Sequence, residues 1–288
     1  MAYSSMQDIV KLCDKNHLEF WQAVVKEQAK ETLEPETAIF DRMKSMFSVM
    51  KLTVGNYDKH AKSSSGMAGG DGEKIHQYNQ KGNPLLGPFL AEVIENAVKT
   101  AECNACMKRI VAAPTAGSCG VIPSILIVYQ KQFQADDDTI TKALLVGAGI
   151  GSVIAENASI SGAKGGCQAE IGTASAMAAG AIAYLESRDN EIIMNAVAMA
   201  IKNMLGLVCD PVAGLVEVPC IKRNAAGAVN AVVSAYMALA GVKSVIPVDE
   251  VISAMDEIGR GLPSCFKETS QGGLAVTPTA QNISKALK

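Results

Sequence analysis

Cys167, Cys209 and Cys220 are the residues of this sequence best placed to do chemistry, because each stands where the chain must bend. Cys167 ends the run Ser161-Gly162-Ala163-Lys164-Gly165-Gly166-Cys167. Cys209 opens Cys209-Asp210-Pro211-Val212-Ala213-Gly214, and Cys220 follows Pro219 and precedes Ile221-Lys222-Arg223-Asn224. Glycine and proline fix such turns, and a thiolate carried on a turn can reach a shared metal centre. An iron–sulfur cluster normally takes four thiolates. Three would leave a four-iron cluster one ligand short and one iron open, the free position that a chemically active metal needs. For any one cysteine taken alone, the competing reading is a small buried core residue.

The elements that must position these turns read as helices. Residues 8–30 form a loose apolar stripe of Ile9, Leu12, Cys13, Leu18, Trp21, Val24 and Val25, which predicts one amphipathic helix. A second is expected over 36–52 behind Pro35. Residues 53–88 turn polar and glycine-rich and read as a long loop, a length that in a globular domain usually serves function. Helices are then expected over 89–109, 122–133, 141–159, 171–186, 191–207, 224–240 and 248–260, separated by the 113–120 loop and other glycine-rich breaks. Asp136-Asp137-Asp138-Thr139 supplies a cap and an acidic first turn for the helix near Ile140. No period-2 strand pattern or internal repeat is evident. The polar tail 268–288 allows a short terminal helix. The reading is a single all-α domain over residues 1–288 with reactive loops at helix ends.

Bulk composition narrows the function classes. The 288 residues are 49% hydrophobic and 19% charged, enough for a substantial core. Aromatics make up only 5%, so the apolar content is largely small and aliphatic, as closely packed helices require. A net charge of −3 gives no basic footprint for nucleic acid. The start Met1-Ala2-Tyr3-Ser4-Ser5-Met6-Gln7-Asp8 lacks the pattern of a secretory signal. No membrane span is expected. The nearest candidate, 225–242, contains Asn230, Ser234 and Tyr236 and reads as a buried helix. Eight cysteines without a secretion signal point to metal ligands or buried thiols in a reducing cytoplasm.

Other motifs carry less. Gly147-Ala148-Gly149-Ile150-Gly151 follows an apolar run, but the third glycine comes one position early for a dinucleotide fingerprint and no parallel strand follows. It reads as a close helix contact. Cys103-Asn104-Ala105-Cys106 has zinc half-site spacing, yet it lies in a helical run without a second pair. His17, His60 and His76 are too scattered for a histidine metal centre; His17 reads as structural, while His60 and His76 flank the serine/glycine loop. That loop, Ser63-Ser64-Ser65-Gly66-Met67-Ala68-Gly69-Gly70-Asp71-Gly72-Glu73-Lys74, is the densest polar stretch. Its hydroxyls and amides could form a nest for a substrate carboxylate, with Lys74 adding charge. The candidate binding residues are Ser63, Ser64, Ser65, Gly66, Gly70, Asp71 and Lys74, with Thr115 from the second loop.

Gly165-Gly166-Cys167-Gln168-Ala169-Glu170-Ile171-Gly172, the stretch Cys209–Cys220, Ala113-Pro114-Thr115-Ala116-Gly117 and Lys267-Glu268-Thr269-Ser270-Gln271-Gly272-Gly273-Leu274-Ala275 together resemble the alpha subunit of two-chain iron–sulfur L-serine dehydratases. The resemblance extends over about residues 53–280. It implies a mostly helical catalytic chain holding a [4Fe–4S] cluster by Cys167, Cys209 and Cys220, with Cys103, Cys106, Cys119 and Cys265 outside the ligand set. It also implies L-serine as substrate, pyruvate and ammonia as products, and a beta subunit as partner. The family's second chain or domain carries a Ser-x-His-Thr-x-Gly-Pro-like segment, which this sequence lacks, so the general base is expected on the partner.

Three other readings compete with this one. An open iron could dehydrate a different small hydroxy acid. Pyridoxal phosphate chemistry would need a Schiff-base lysine, for which Lys164 is the candidate. A helical scaffold with buried thiols would bind no iron.

Overall fold

The computed structural model describes residues 3–82 and 85–287, so Met1 and Ala2 of the N-terminus, Asn83 and Pro84 of the expected 53–88 loop and Lys288 of the tail lie outside the described residues. Thirteen α-helices follow one another among the described residues, with no strand. The one β-type pairing among the described residues is a parallel bridge between Cys209 and Lys267. The chain is all-α.

The first three helices are α1 (Met6–Asn16), α2 (Phe20–Thr32) and α3 (Glu36–Gly55). The continuous helix expected over 8–30 is therefore two. His17 adopts a left-handed conformation (φ 53°) that ends α1, and the Glu19 and Gln22 side chains then cap the start of α2 reciprocally. The 53–88 stretch is not a plain loop either, since it holds α4 (Asp71–Asn79). Next come α5 (Gly87–Ala105), α6 (Val121–Phe133) and α7 (Asp137–Asn157). The carboxylate of Asp136 accepts the Thr139 amide at 2.7 Å and caps α7, a contact worth about 1 kcal/mol. The short α8 (Gly162–Gly165) precedes a π turn over Gln168–Gly172, which runs directly into α9 (Thr173–Ser187). Then follow α10 (Asn190–Lys202), α11 (Cys220–Leu239), α12 (Val248–Gly261) and α13 (Pro278–Ala286).

α9 is the centre of the packing. Every residue from Thr173 to Tyr184 is buried, and α6, α7, α10 and α11 pack around it. Its run of alanine, glycine and serine explains this, because a helix without a polar face must be enclosed, and small side chains let the neighbouring backbones approach. Gly180 marks one such crossing, where a Cβ would collide with Ile150 of α7. The glycines of the Gly147–Gly151 run lie inside α7 and do the same work: a Cβ on Gly149 would meet Val24, and one on Gly151 would lie 2.9 Å from the Met177 sulfur. Among the described residues α7, not the 225–242 segment, is the helix with the length and hydropathy to cross a membrane, but 67% of its most apolar window is buried in the fold, as in a core helix.

Gly120, at the start of α6, sits where α5, α6 and α11 meet. Its amide donates to Asn224 Oδ1 at 2.8 Å, and a Cβ there would run into the backbone carbonyl oxygen of Ala97. Neither backbone can retreat without disturbing the junction. Gly120→Ala should therefore cost about 1–3 kcal/mol of stability, the range for overpacking a filled site, and thermal unfolding followed by helical circular dichroism measures it.

Candidate metal centre

The three cysteine segments are built differently and end in the same place. Gly166 (φ 75°) reverses the chain after α8, and a Cβ there would press on the Leu207 carbonyl oxygen at 2.9 Å and on Leu262 at 2.8 Å. Cys167 follows and leads into the π turn. Gln168 anchors that turn: its Nε2 donates to the Met255 carbonyl at 2.9 Å and its Oε1 accepts the Gly206 amide at 2.8 Å. Cys209 is held as one rung of a ladder, its amide donating to Phe266 O and its carbonyl accepting from Glu268 N, both at 2.9 Å. Cys220 opens α11.

All three thiols are buried, at 3% (Cys167), 3% (Cys209) and 8% (Cys220) exposure, and all are free. Burial pushes Cys167 up to about 11 and Cys220 up to about 12, and raises Cys209 as well. They lie close enough to act on one another electrostatically: Cys167 and Cys220 both act on Cys209, and Cys167 acts on Cys220. Among the described residues no group of three or more histidine, cysteine, aspartate or glutamate side chains has the arrangement to hold a metal ion. A four-iron cluster makes a different demand, because each thiolate meets its own iron at a separate corner.

The first turn of α11 ties the surrounding segments together, and consecutive residues do it. Lys222 Nζ pairs with Asp71 Oδ2 at 2.6 Å, reaching the end of the serine/glycine loop. Arg223 donates to Val208 O at 2.8 Å and Asp210 Oδ1 at 3.0 Å, and its guanidinium lies within hydrogen-bonding reach of the Cys167 thiol. Asn224 Nδ2 donates to Gly117 O at 2.8 Å while its Oδ1 receives the Gly120 amide, so the 113–120 loop is held as well. Asp210 passes the connection on by accepting the Leu274 amide at 2.8 Å.

Two carboxylates border the cysteines. Glu170, on the π turn, accepts from Thr115 Oγ1 at 2.7 Å, and burial raises its pKa, with nearby Glu268 adding to the shift. The point a Cβ of Gly162 would fill lies 2.7 Å from Glu170 Oε2, 3.1 Å from Cys209 Sγ and 3.3 Å from Glu268 Oε2, so all three groups border one small volume. A cavity of about 750 Å³ adjoins α8 and is lined by Lys164, Gly165, Gln168, Arg260 and Lys267 among others, with Lys164 itself exposed.

The serine/glycine loop is an anion nest with an internal occupant. The amides of Gly69, Asp71 and Gly72 donate to the buried Glu102 carboxylate at 3.2, 2.9 and 3.0 Å, and Tyr57 donates its hydroxyl to the same group. Ser63 and Ser65 donate to Glu217 Oε2 at 2.8 and 2.6 Å, which fastens the loop to the segment just before Cys220. Ser64 and Gly66 are exposed, and Gly70 (φ 86°) precedes α4. Lys74 is an outer partner of Asp71, at 2.8 Å. Thr115, Ser63 and Ser65 thus join the cysteine region through Glu170 and Glu217, whereas Lys74 points away on the surface. Cys103 is buried in α5 and lies 3.7 Å from the Thr53 carbonyl, and Cys106 caps that helix.

Glu102, Glu170, Glu217, Arg223 and Asn224 are the residues that sequence reasoning passed over. Their one signal was position: charged or amide side chains in otherwise apolar helical runs or between the cysteines. Glu102→Gln replaces one carboxylate oxygen with an amide NH2 that faces backbone donors. It should cost about 2–3 kcal/mol, since hydrogen bonds to a buried charge are the strong kind, and should speed amide exchange across residues 63–72 while leaving α9 protected. Hydrogen exchange read by mass spectrometry resolves the two regions.

The family described as serine dehydratase alpha chain matches residues 15–275. The chain is 42% identical to a probable L-serine dehydratase alpha chain of Bacillus subtilis over 285 residues, 99% of this chain and 95% of that one. It is 39% identical to the L-serine dehydratase alpha chain of Peptoniphilus asaccharolyticus, over 97% of this chain and 96% of that one. It is also 44% identical over 182 residues to L-serine dehydratase 2 of Escherichia coli, a match covering 62% of this chain and 40% of that longer protein. With a family match spanning most of its length and two relatives near 40% identity end to end, the chain belongs to the serine dehydratase alpha chain family.

Proposed function

We propose that this chain is the catalytic alpha chain of an L-serine dehydratase, converting L-serine to pyruvate and ammonia, and that Cys167, Cys209 and Cys220 hold a [4Fe–4S] cluster. The observation that carries the reading is the meeting of three buried, unpaired thiols from separate segments beside a partly buried arginine. Such a donor set fits an iron–sulfur cluster: all sulfur, enclosed by protein, and one thiolate short of full ligation. When bound, the cluster would supply an open iron as Lewis acid for the departing hydroxyl.

The protein's own groups would do the rest. Overall, serine loses its α-proton and its β-hydroxide as water. The resulting aminoacrylate tautomerises to an imine, which water hydrolyses to pyruvate and ammonia. Glu170, its pKa raised and its Oε1 fixed by Thr115, can carry a proton on Oε2 next to Cys209 and hand it to the leaving oxygen. The 63–72 loop, pinned by Glu102 and Glu217, offers a rigid frame for the substrate carboxylate, with the candidates Ser64, Gly66 and Thr115 nearest to free polar surface.

A beta subunit would complete the enzyme and bring the base for the α-proton. The relatives' names specify an alpha chain, and the Escherichia coli relative extends well beyond the matched region. Eight free cysteines suit a reducing cytoplasm.

Anaerobic reconstitution with iron and sulfide should give about four of each per chain. Cys209→Ala should bind markedly less, and L-serine turnover should require added beta chain and decay in air. Wild-type protein that takes up no iron, or iron uptake unchanged in Cys209→Ala, would overturn the assignment.

A further inference from the structure

Arg223 has a connectivity that the reaction itself does not explain. It lies one turn into α11 from Cys220. It holds the backbone on the N-terminal side of Cys209 through Val208 O, and the residue on the other side through Asp210 Oδ1. Its guanidinium also reaches the Cys167 thiol. A single side chain is therefore bonded to, or carried by, all three cysteine segments, and at 16% side-chain exposure it is largely desolvated. A guanidinium is suited to this because its donors are fixed in one plane and its charge is permanent.

We infer that Arg223 is the positioning residue of the cluster site: it sets the three sulfurs in register before iron arrives and directs a cationic N–H at the Cys167 sulfur afterwards. The inference rests on the cluster assignment proposed above and deepens it. Its two parts are separable. Register depends on the fork that spans Val208 and Asp210. Charge placed beside a ligating sulfur lowers the electron density there, and hydrogen bonds to cluster sulfurs help to set the reduction potential.

The test compares wild type, Arg223→Lys, Arg223→Met and Asp210→Asn after anaerobic reconstitution, reading iron content, the rate of iron loss to a chelator, and the cluster's reduction potential. Arg223→Lys keeps a charge but not the fork, so it should lose iron about tenfold faster at a potential near wild type. Arg223→Met should lose iron 10–100-fold faster, as removal of outer-sphere partners commonly does, with a distinctly more negative potential. Asp210→Asn weakens the fork and should lose iron about as fast as Arg223→Lys, at a potential no lower than wild type. A purely structural role would speed iron loss in all three without separating their potentials, and that result, like wild-type release rates and potential in every variant, overturns the inference. If Arg223→Met fails to fold by circular dichroism, the release rate and potential of Arg223→Lys and Asp210→Asn decide the matter. Failure of the wild type to bind iron is a different result: it removes the cluster assignment itself.

Discussion

The constraint on which this molecule is built is that three thiols carried on separate turns must meet inside a helical protein without strands to hold them in register. The first turn of α11 meets it. Cys220 stands on that turn, and Lys222, Arg223 and Asn224 each reach a different segment: the serine/glycine loop, the other two cysteine segments and the 113–120 loop. Successive residues of a helix point about 100° apart, so three in a row can serve three directions. The rest of the site can be described as what those side chains hold. α11 itself is seated against α9, the fully enclosed helix, so the turn has a rigid base.

Buried charge is used as a fastener throughout. Burying a lone carboxylate is costly, and the cost is offset only when hydrogen bonds satisfy it. Glu102 receives three amides and a tyrosine hydroxyl, Glu217 receives two serine hydroxyls, and Asp210 receives a guanidinium and an amide. These groups join loops that have little apolar surface of their own. Glycine-rich segments cannot be held by packing, because they have few side chains to pack. Ionic and hydrogen-bonded ties take that role. Glu170 differs from these, with the Thr115 hydroxyl as its one donor and a carboxyl pKa displaced upward by burial.

Much of this was legible in the chain itself. The all-α class followed from helical periodicity, and the helices expected near 36–52, 122–133 and 248–260 appear as α3, α6 and α12 with ends shifted by a few residues. The loop rich in serine and glycine could be read as an anion nest from its amides, but its occupant could not. Glu102 lies 30 or more residues away on α5, and nothing local reveals such a pairing. The break at His17 was hidden because a left-handed histidine ends α1 without glycine or proline to announce it. The π turn before α9 was hidden for a similar reason, its sequence Gln168–Gly172 being compatible with ordinary helix. Local pattern thus located elements and candidate sulfurs. Long-range buried polar pairs, which depend on how helices stack, determined what the loops hold on to.

The most direct test of the central claim is Mössbauer spectroscopy of the iron-57-reconstituted chain, assembled with its beta chain and recorded with and without L-serine. The account predicts that one iron site of the cluster changes its isomer shift and quadrupole splitting when serine is added, while the three sites bound to Cys167, Cys209 and Cys220 stay as they were. A spectrum in which all the iron sites remain unchanged at saturating serine, in protein that is turning over substrate, would contradict it.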